Sequence, residues 1–329
     1  MNHIERIDAV LRGEKPDRTP LSFWRHFFHR EDNAEGLADA MLAFQQKYDW
    51  DFMKVNPRAA YHVEAWGAKL KFFGDEFIKP QIVEFPVNTS SDWDKIETVD
   101  PSNQAFSEQL NALKMIKDGL GGELYFVQTV FSPLSIAGDM VKEPRMLIDD
   151  MKNNPEKIHR VLEVITQSLI AYSEEVLKTG AAGLFFATTE WATTNTISKE
   201  LYLDFGKPYD LRVLEAVNDA RMNVLHVCKP NNMLELFTEY PFNVLSYADT
   251  DDGNMPFDEA SKIFPGKAIV GGLGAKTILV NGKPEEVVSE AESKSNLLDS
   301  SKWILGPSCS IPPEVPEENL KAVRDWVDR

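Results

Sequence analysis

The sequence predicts an α/β protein, a (β/α)8 TIM barrel built as one domain over residues 1–329. Three observations predict it. Eight short apolar runs recur along the chain. They lack polar alternation, as parallel strands buried on both faces do. Most are preceded by sequence with helical periodicity, the strand–helix alternation of a βα barrel. A length of 329 residues exceeds the usual single domain, yet barrels of this kind reach that size as one unit.

An opening helix and a Pro/Asp turn lead to the first run, TPLSFWRHF (19–27). WDFMKVNP (50–57) is the second. The segment 62–110 does not fit one helix. It reads as an elaboration after the second strand, with a hairpin around 69–86. LYFVQTVFSP (124–133) follows a helix-like stretch stopped by Gly121 and Gly122. AGLFFATTE (182–190) follows PEKIHRVLEVITQSLIAYSEEVLKTG. There apolar residues recur at three- and four-residue spacing, and Gly180 supplies the stop. MNVLHVC (222–228), FNVLSYAD (242–249), AIVGGLG (268–274) and KWILGPSC (302–309) complete the eight. No low-complexity tract, fixed-period repeat or linker interrupts them.

Hydrophobic residues make up 43% and charged residues 26%, enough for a large core. A net charge of -17 repels phosphate backbones and anionic membranes, so neither nucleic acid nor a membrane surface is an expected partner. The N-terminus has no apolar signal region, and no window approaches a membrane span. Two cysteines make no disulfide framework. They fit a reducing cytoplasm, where thiols serve as metal ligands, nucleophiles or core.

The stretch NVLHVCKPNN (223–232) places His226 and Cys228 two residues apart, on one face of a strand. They would close the fifth strand. Cys309 would close the eighth, and Glu190 the fourth, on the parity of Leu184, Phe186 and Thr188. Barrel active sites lie at these C-terminal strand ends. One imidazole, two thiolates and a carboxylate form a zinc set, with three strong ligands and one exchangeable. Buried cysteines and core histidines are common, so the pair alone is weak evidence. A third donor at another strand end favours metal. The donor atoms of His226, Cys228 and Cys309 should then lie about 4 Å apart or less. Further candidates are Asp249 and Tyr247 at the sixth strand end, with Asp249 a base or a helix cap. Arg25, His26 and Asn56 are candidate cofactor contacts at the mouth, and Lys54, Arg58 and Tyr61 accompany Asn56. GGLG (271–274) resembles a phosphate cradle, a weak signal by itself.

RIDAVLRGEKPDRTP, GGLGAKTILVNGKPEEVVSEA and WILGPSCSIPPEVPEENLKAV resemble the uroporphyrinogen decarboxylase superfamily, and within it the cobalamin-dependent methyltransferase branch. The His-x-Cys pair with a distant second Cys resembles the zinc site of methylcobalamin:coenzyme M methyltransferases. It also resembles that of cobalamin-independent methionine synthase. The resemblance implies Zn2+ on His226, Cys228 and Cys309, with Glu190 as a fourth ligand. Read from its place at a strand end alone, Glu190 is equally a substrate contact or a helix N-cap partner. The resemblance also implies a corrinoid, methylcobalamin, as substrate or carried by a partner corrinoid protein, and a small-molecule methyl acceptor or donor. Coenzyme M, another thiol and a folate stay open, as does the direction of transfer. Decarboxylases carry a segment resembling R-Q-A-G-R-Y, where this chain reads FWRHFFHRED and retains Arg25. Two other readings remain: a metal-free lyase, and a non-catalytic tetrapyrrole or corrinoid binder.

Overall fold

In the computed structural model, which describes residues 1–297 and 299–328, nine strands form. They are β1 (Phe52–Val55), β2 (Lys69–Lys71), β3 (Gln81–Glu84), β4 (Tyr125–Phe131) and β5 (Gly183–Thr188). β6 (Val224–Val227), β7 (Val244–Tyr247), β8 (Ala268–Leu273) and β9 (Trp303–Pro307) follow. Seven of them make one parallel sheet in the order β1-β4-β5-β6-β7-β8-β9. β2 and β3 pair antiparallel as the hairpin expected after the second apolar run.

Residues 20–22 close the curled sheet. Leu305 N donates to Pro20 O (2.8 Å), and Ser22 N donates to Leu305 O (3.0 Å). On the other edge Asp51 N donates to Leu21 O (2.8 Å), and Ser22 Oγ donates to Phe52 O (2.7 Å). The first expected strand is therefore a bridging segment, paired at Leu21↔Leu305 and Arg25↔Ile311, and not a regular ladder. The local chemistry accounts for this. Pro20 has no N–H to give a ladder. The Leu21 amide donates to the buried Asp51 carboxylate (2.8 Å), which Arg6 (2.6 Å) and Arg18 (2.7 Å) also hold. Burial pushes that carboxyl up, but His3, Arg18 and the Leu21 amide bring it below its ordinary value.

The continuous apolar reading of the strands follows from two cores, one on each face of the sheet. Phe52, Val127, Phe185, Val224, Val244, Val270 and Ile304 pack inside the barrel with Trp24. Val55, Val130, Phe186, Leu225, Leu245, Ile269 and Leu305 pack outward against the helices. Each such side chain contributes about 1.5–3 kcal/mol when fully buried. The helix Pro155–Lys178 begins on a proline and buries Ile158, Val161, Leu162, Ile165 and Leu169 at helical spacing. It ends before Gly180, whose φ of +97° only glycine adopts cheaply. The GGLG segment is packed, not open: a Cβ at Gly272 (φ +112°) would touch Lys294 and Trp303. Among the described residues no helix is long and apolar enough to cross a membrane.

Candidate metal centre and pocket

Strand alternation decides which side chains reach the barrel axis. On β6, Leu225 and Val227 face the helices, so Val224 and His226 face inward. Cys228 continues that parity, and its N–H donates to Thr188 O of β5 (3.3 Å). The chain then turns through Lys229 (φ 72°) and Asn231 (φ 52°). Beyond β9 the loop is tied to β8: Ser308 N donates to Leu273 O (2.8 Å), and the Ala275 amide donates to Ser308 Oγ (3.1 Å). That tie sets Cys309 against Cys228.

The two sulfurs lie 3.6 Å apart and both cysteines are free. One donor atom each from His226, Cys228 and Cys309 fall within 4.8 Å of one another, and the sulfur pair meets the expected spacing. His226 Nδ1 hydrogen-bonds Ser246 Oγ (2.9 Å), its register neighbour on β7, which leaves Nε2 as the free ring nitrogen. The two thiols are within hydrogen-bonding reach of each other. Hydrogen bonding from Cys228 and the charge of His226 hold Cys309 well below the usual thiol value against burial, while Cys309 and burial push Cys228 up. Two soft sulfur donors and one imidazole fit zinc, and three donors leave a position facing the pocket.

A pocket of about 200 Å³ opens above these residues. Lys54, only 4% exposed, reaches into it from β1. Its ammonium lies 4.4 Å from the Phe185 ring centroid and 5.7 Å from that of Trp24, and donates to Asn56 Oδ1. Burial pushes it down to about 7, with the cysteine charges and Glu31 opposing. Asn56 Nδ2 also donates to Ser310 Oγ (3.4 Å), joining β1 to the loop after β9.

Of the residues singled out in the sequence, His226, Cys228, Cys309, Glu190, His26 and Asn56 line this one pocket. His26 is held by Glu31 (3.0 Å) and stacks on Phe28 (5.3 Å). Glu190 stands outside the three-residue donor cluster. The inward residues of β5 are Phe185 and Ala187, so the parity expected for Glu190 would have turned it outward. It reaches the pocket because the chain breaks at Thr189 (ψ -131°) into a 3-10 turn, Glu190–Ala192.

Three expectations are corrected. Tyr247 has the outward parity of Leu245; it is fully buried, and its hydroxyl donates to Met255 O (3.0 Å). Asp249 follows the same parity and sits near Gly271, Phe257 and Lys294, away from the pocket. Neither of its carboxylate oxygens has a hydrogen-bond partner of normal geometry, and burial pushes it up to about 7 against Lys294. Arg25 alternates with inward Trp24, so it points out to Glu76 (2.6 Å) and over Phe27 (5.0 Å). It lines a neighbouring groove with Phe44 and Tyr48. Arg58 is likewise taken up by Glu64 and Glu108, and Tyr61 donates to Thr129 O (3.0 Å). Sequence reasoning missed Trp24, Phe185, Lys229 and Ser246. Extending the inward parity of His226 across to β7 would have found Ser246 in place of Tyr247.

Over residues 2–329 the chain matches the family described as uroporphyrinogen decarboxylase (URO-D). The methylcobamide:CoM methyltransferase MtbA of Methanosarcina acetivorans is 23% identical over 335 residues, spanning 96% of this chain and 95% of that protein. A uroporphyrinogen decarboxylase of Anaeromyxobacter dehalogenans is 26% identical over 349 residues, spanning 98% and 97%. Among solved structures, a methyltransferase from Methanosarcina mazei superposes with a TM-score of 0.85 at 20% identity, covering 100% of this chain and 98% of that one. The superposition shows the shared barrel.

Proposed function

The chain belongs to the uroporphyrinogen decarboxylase family, and from that premise we propose that it is a zinc-dependent methyltransferase moving a methyl group between a corrinoid and a small thiol. Identity does not choose between the activities named for its relatives, since a methyltransferase and a decarboxylase match it almost equally. The observation that carries the reading is the cluster of His226, Cys228 and Cys309 at the pocket. A metal-free decarboxylation has no use for two half-buried thiols at a barrel mouth.

His226, Cys228 and Cys309 would hold the ion. When bound, zinc supplies Lewis acidity, which lowers the pKa of a thiol at the open position. The chain's own residues do the rest. Ser246 fixes the His226 ring. Lys54 offers a positive charge to the acceptor's thiolate, while Trp24 and Phe185 screen that charge from water. Glu190 is the one carboxylate among the described residues lining the pocket, and its carboxylate oxygen takes the proton that the thiol gives up. The pocket suits a small acceptor or donor, with the corrinoid brought by a partner corrinoid protein or as free methylcobalamin. The work is done by one domain over 1–329, in the reducing cytoplasm that its two free cysteines suit.

The test is zinc per chain in protein purified without added metal, beside a Cys309→Ser variant. About one zinc in the parent and far less in the variant is the expected result. Methylcobalamin with a panel of thiols then identifies the acceptor. Folded, unchelated parent protein with no zinc would return the case to the lyase reading.

A further inference from the structure

Among the described residues, four of the eight exposed large hydrophobic side chains belong to the β2–β3 hairpin. Phe73, Phe77, Ile78 and Val83 are all exposed, and Phe77 (56%) and Ile78 (44%) form its crest. Soluble surfaces scatter such residues singly; a cluster of them marks a contact site. The crest is also placed at the mouth. On one side Glu76 pairs with Arg25 (2.6 Å), and on the other Lys79 lines the pocket that ends at Cys228 and Cys309.

Size and charge say what fits there. The pocket holds about 200 Å³, below the roughly 300–1,000 Å³ that encloses a drug-sized ligand. A corrin ring is larger than such a ligand. It cannot enter, and presents only its methyl-bearing face to the opening. Its periphery must then rest on whatever surrounds the mouth. The protein as a whole carries -17, but between 69 and 84 Lys69, Lys71 and Lys79 balance Asp75, Glu76 and Glu84. The crest is a neutral apolar ledge on an acidic protein, suited to pack against the methyl groups and side-chain methylenes at the rim of a corrin.

We propose that Phe77 and Ile78, with Lys79 beside them, seat the corrin ring over the mouth. The seat rests on the methyltransferase reading above. The ring is common to free methylcobalamin and to a corrinoid protein, and the seat reads the ring itself.

Equilibrium dialysis with methylcobalamin and with methylcobinamide, which lacks the nucleotide tail, tests this on zinc-loaded parent and on a Phe77→Asp/Ile78→Asp variant. Both substitutions are at exposed positions; circular dichroism and zinc content check the fold. Binding of both corrinoids should weaken roughly tenfold or more, the loss of one well-packed apolar contact. The KM for the thiol should not move, and Leu203→Asp, an exposed apolar residue elsewhere, should bind as the parent does. Unchanged binding of both corrinoids by the variant overturns the seat and leaves the methyltransferase standing. It would mean that the crest meets a carrier protein's surface instead of the ring. A parent that binds neither corrinoid overturns the seat and the corrinoid half of the proposed function together, whereas the zinc measurement judges the metal half by itself.

Discussion

Replacing Asp249 by Asn removes a carboxyl whose burial is costly to the fold and which the pocket does not use. The carboxyl has no hydrogen-bond partner of normal geometry, and burial raises it from 3.8 to about 7, with Lys294 offsetting part of the cost and Glu290 adding to it. In the unfolded chain it ionises near its ordinary value. Between these two pH values the unfolded state has released its proton and the folded state has not. Stability therefore falls as pH rises through that window and is level above about 7. At about 1.36 kcal/mol per pH unit, the full shift corresponds to an upper bound of about 4 kcal/mol. The substituted amide has no proton to lose. Urea unfolding at pH 4.5 should find Asp249→Asn close to the parent, and at pH 8 more stable by up to that amount. Methyl transfer should be unaffected, because Asp249 lies behind the barrel wall. Equal differences at both pH values would refute the buried neutral carboxyl. Lost turnover with normal zinc would restore Asp249 as a base and overturn its placement outside the site.

Two further outcomes follow from the same geometry. Ser246→Ala removes the partner of His226 Nδ1, and zinc affinity measured by chelator competition should fall about 10- to 100-fold; unchanged affinity would mean that the ring needs no orienting. Lys54→Met keeps the stem between Phe185 and Trp24 but takes the charge away, so the KM for acceptor thiol should rise roughly tenfold or more with zinc content intact, the value of one charge-assisted contact. Running neutral 2-mercaptoethanol beside a thiol with an anionic tail locates the effect. A loss confined to the anionic thiol would place Lys54 on the tail and not at the sulfur.

Seven of the eight apolar runs became ladder strands because burial on two faces writes a continuous pattern that needs no alignment to read. The first run did not, because Pro20 and the Asp51–Leu21 contact replace a ladder with bridges, and pairing with a distant carboxylate is invisible in a local window. The site divides the same way. His226 and Cys228 were legible because two-residue spacing within a strand survives folding. Asp249 and Tyr247 were misplaced because the inward parity of β7 is set by Val244 and Ser246, and only the register with β6 reveals which set faces in. Glu190 arrived in the pocket by a turn that no periodicity encodes. Arg25 read as a mouth residue, but its contacts with Glu76 and Phe27 depend on a hairpin far along the chain.

A shared barrel does not settle the chemistry, since function lives in what the strand ends carry. A porphyrinogen with four carboxylates needs a wide cationic cleft. Here the residue that continues the decarboxylase-like segment, Arg25, is paired with Glu76, and the cleft is a pocket of about 200 Å³. What replaces the cationic wall is a pair of sulfurs 3.6 Å apart with an imidazole oriented beside them. Burying Lys54 without a carboxylate partner is costly, and the charges that most favour its ammonium form are those of Cys309 and Cys228. That cost is offset where negative charge gathers at sulfur. A thiolate acceptor brings such charge to this spot, whereas a decarboxylation would build its charge on carbon and leave the two cysteines without a role.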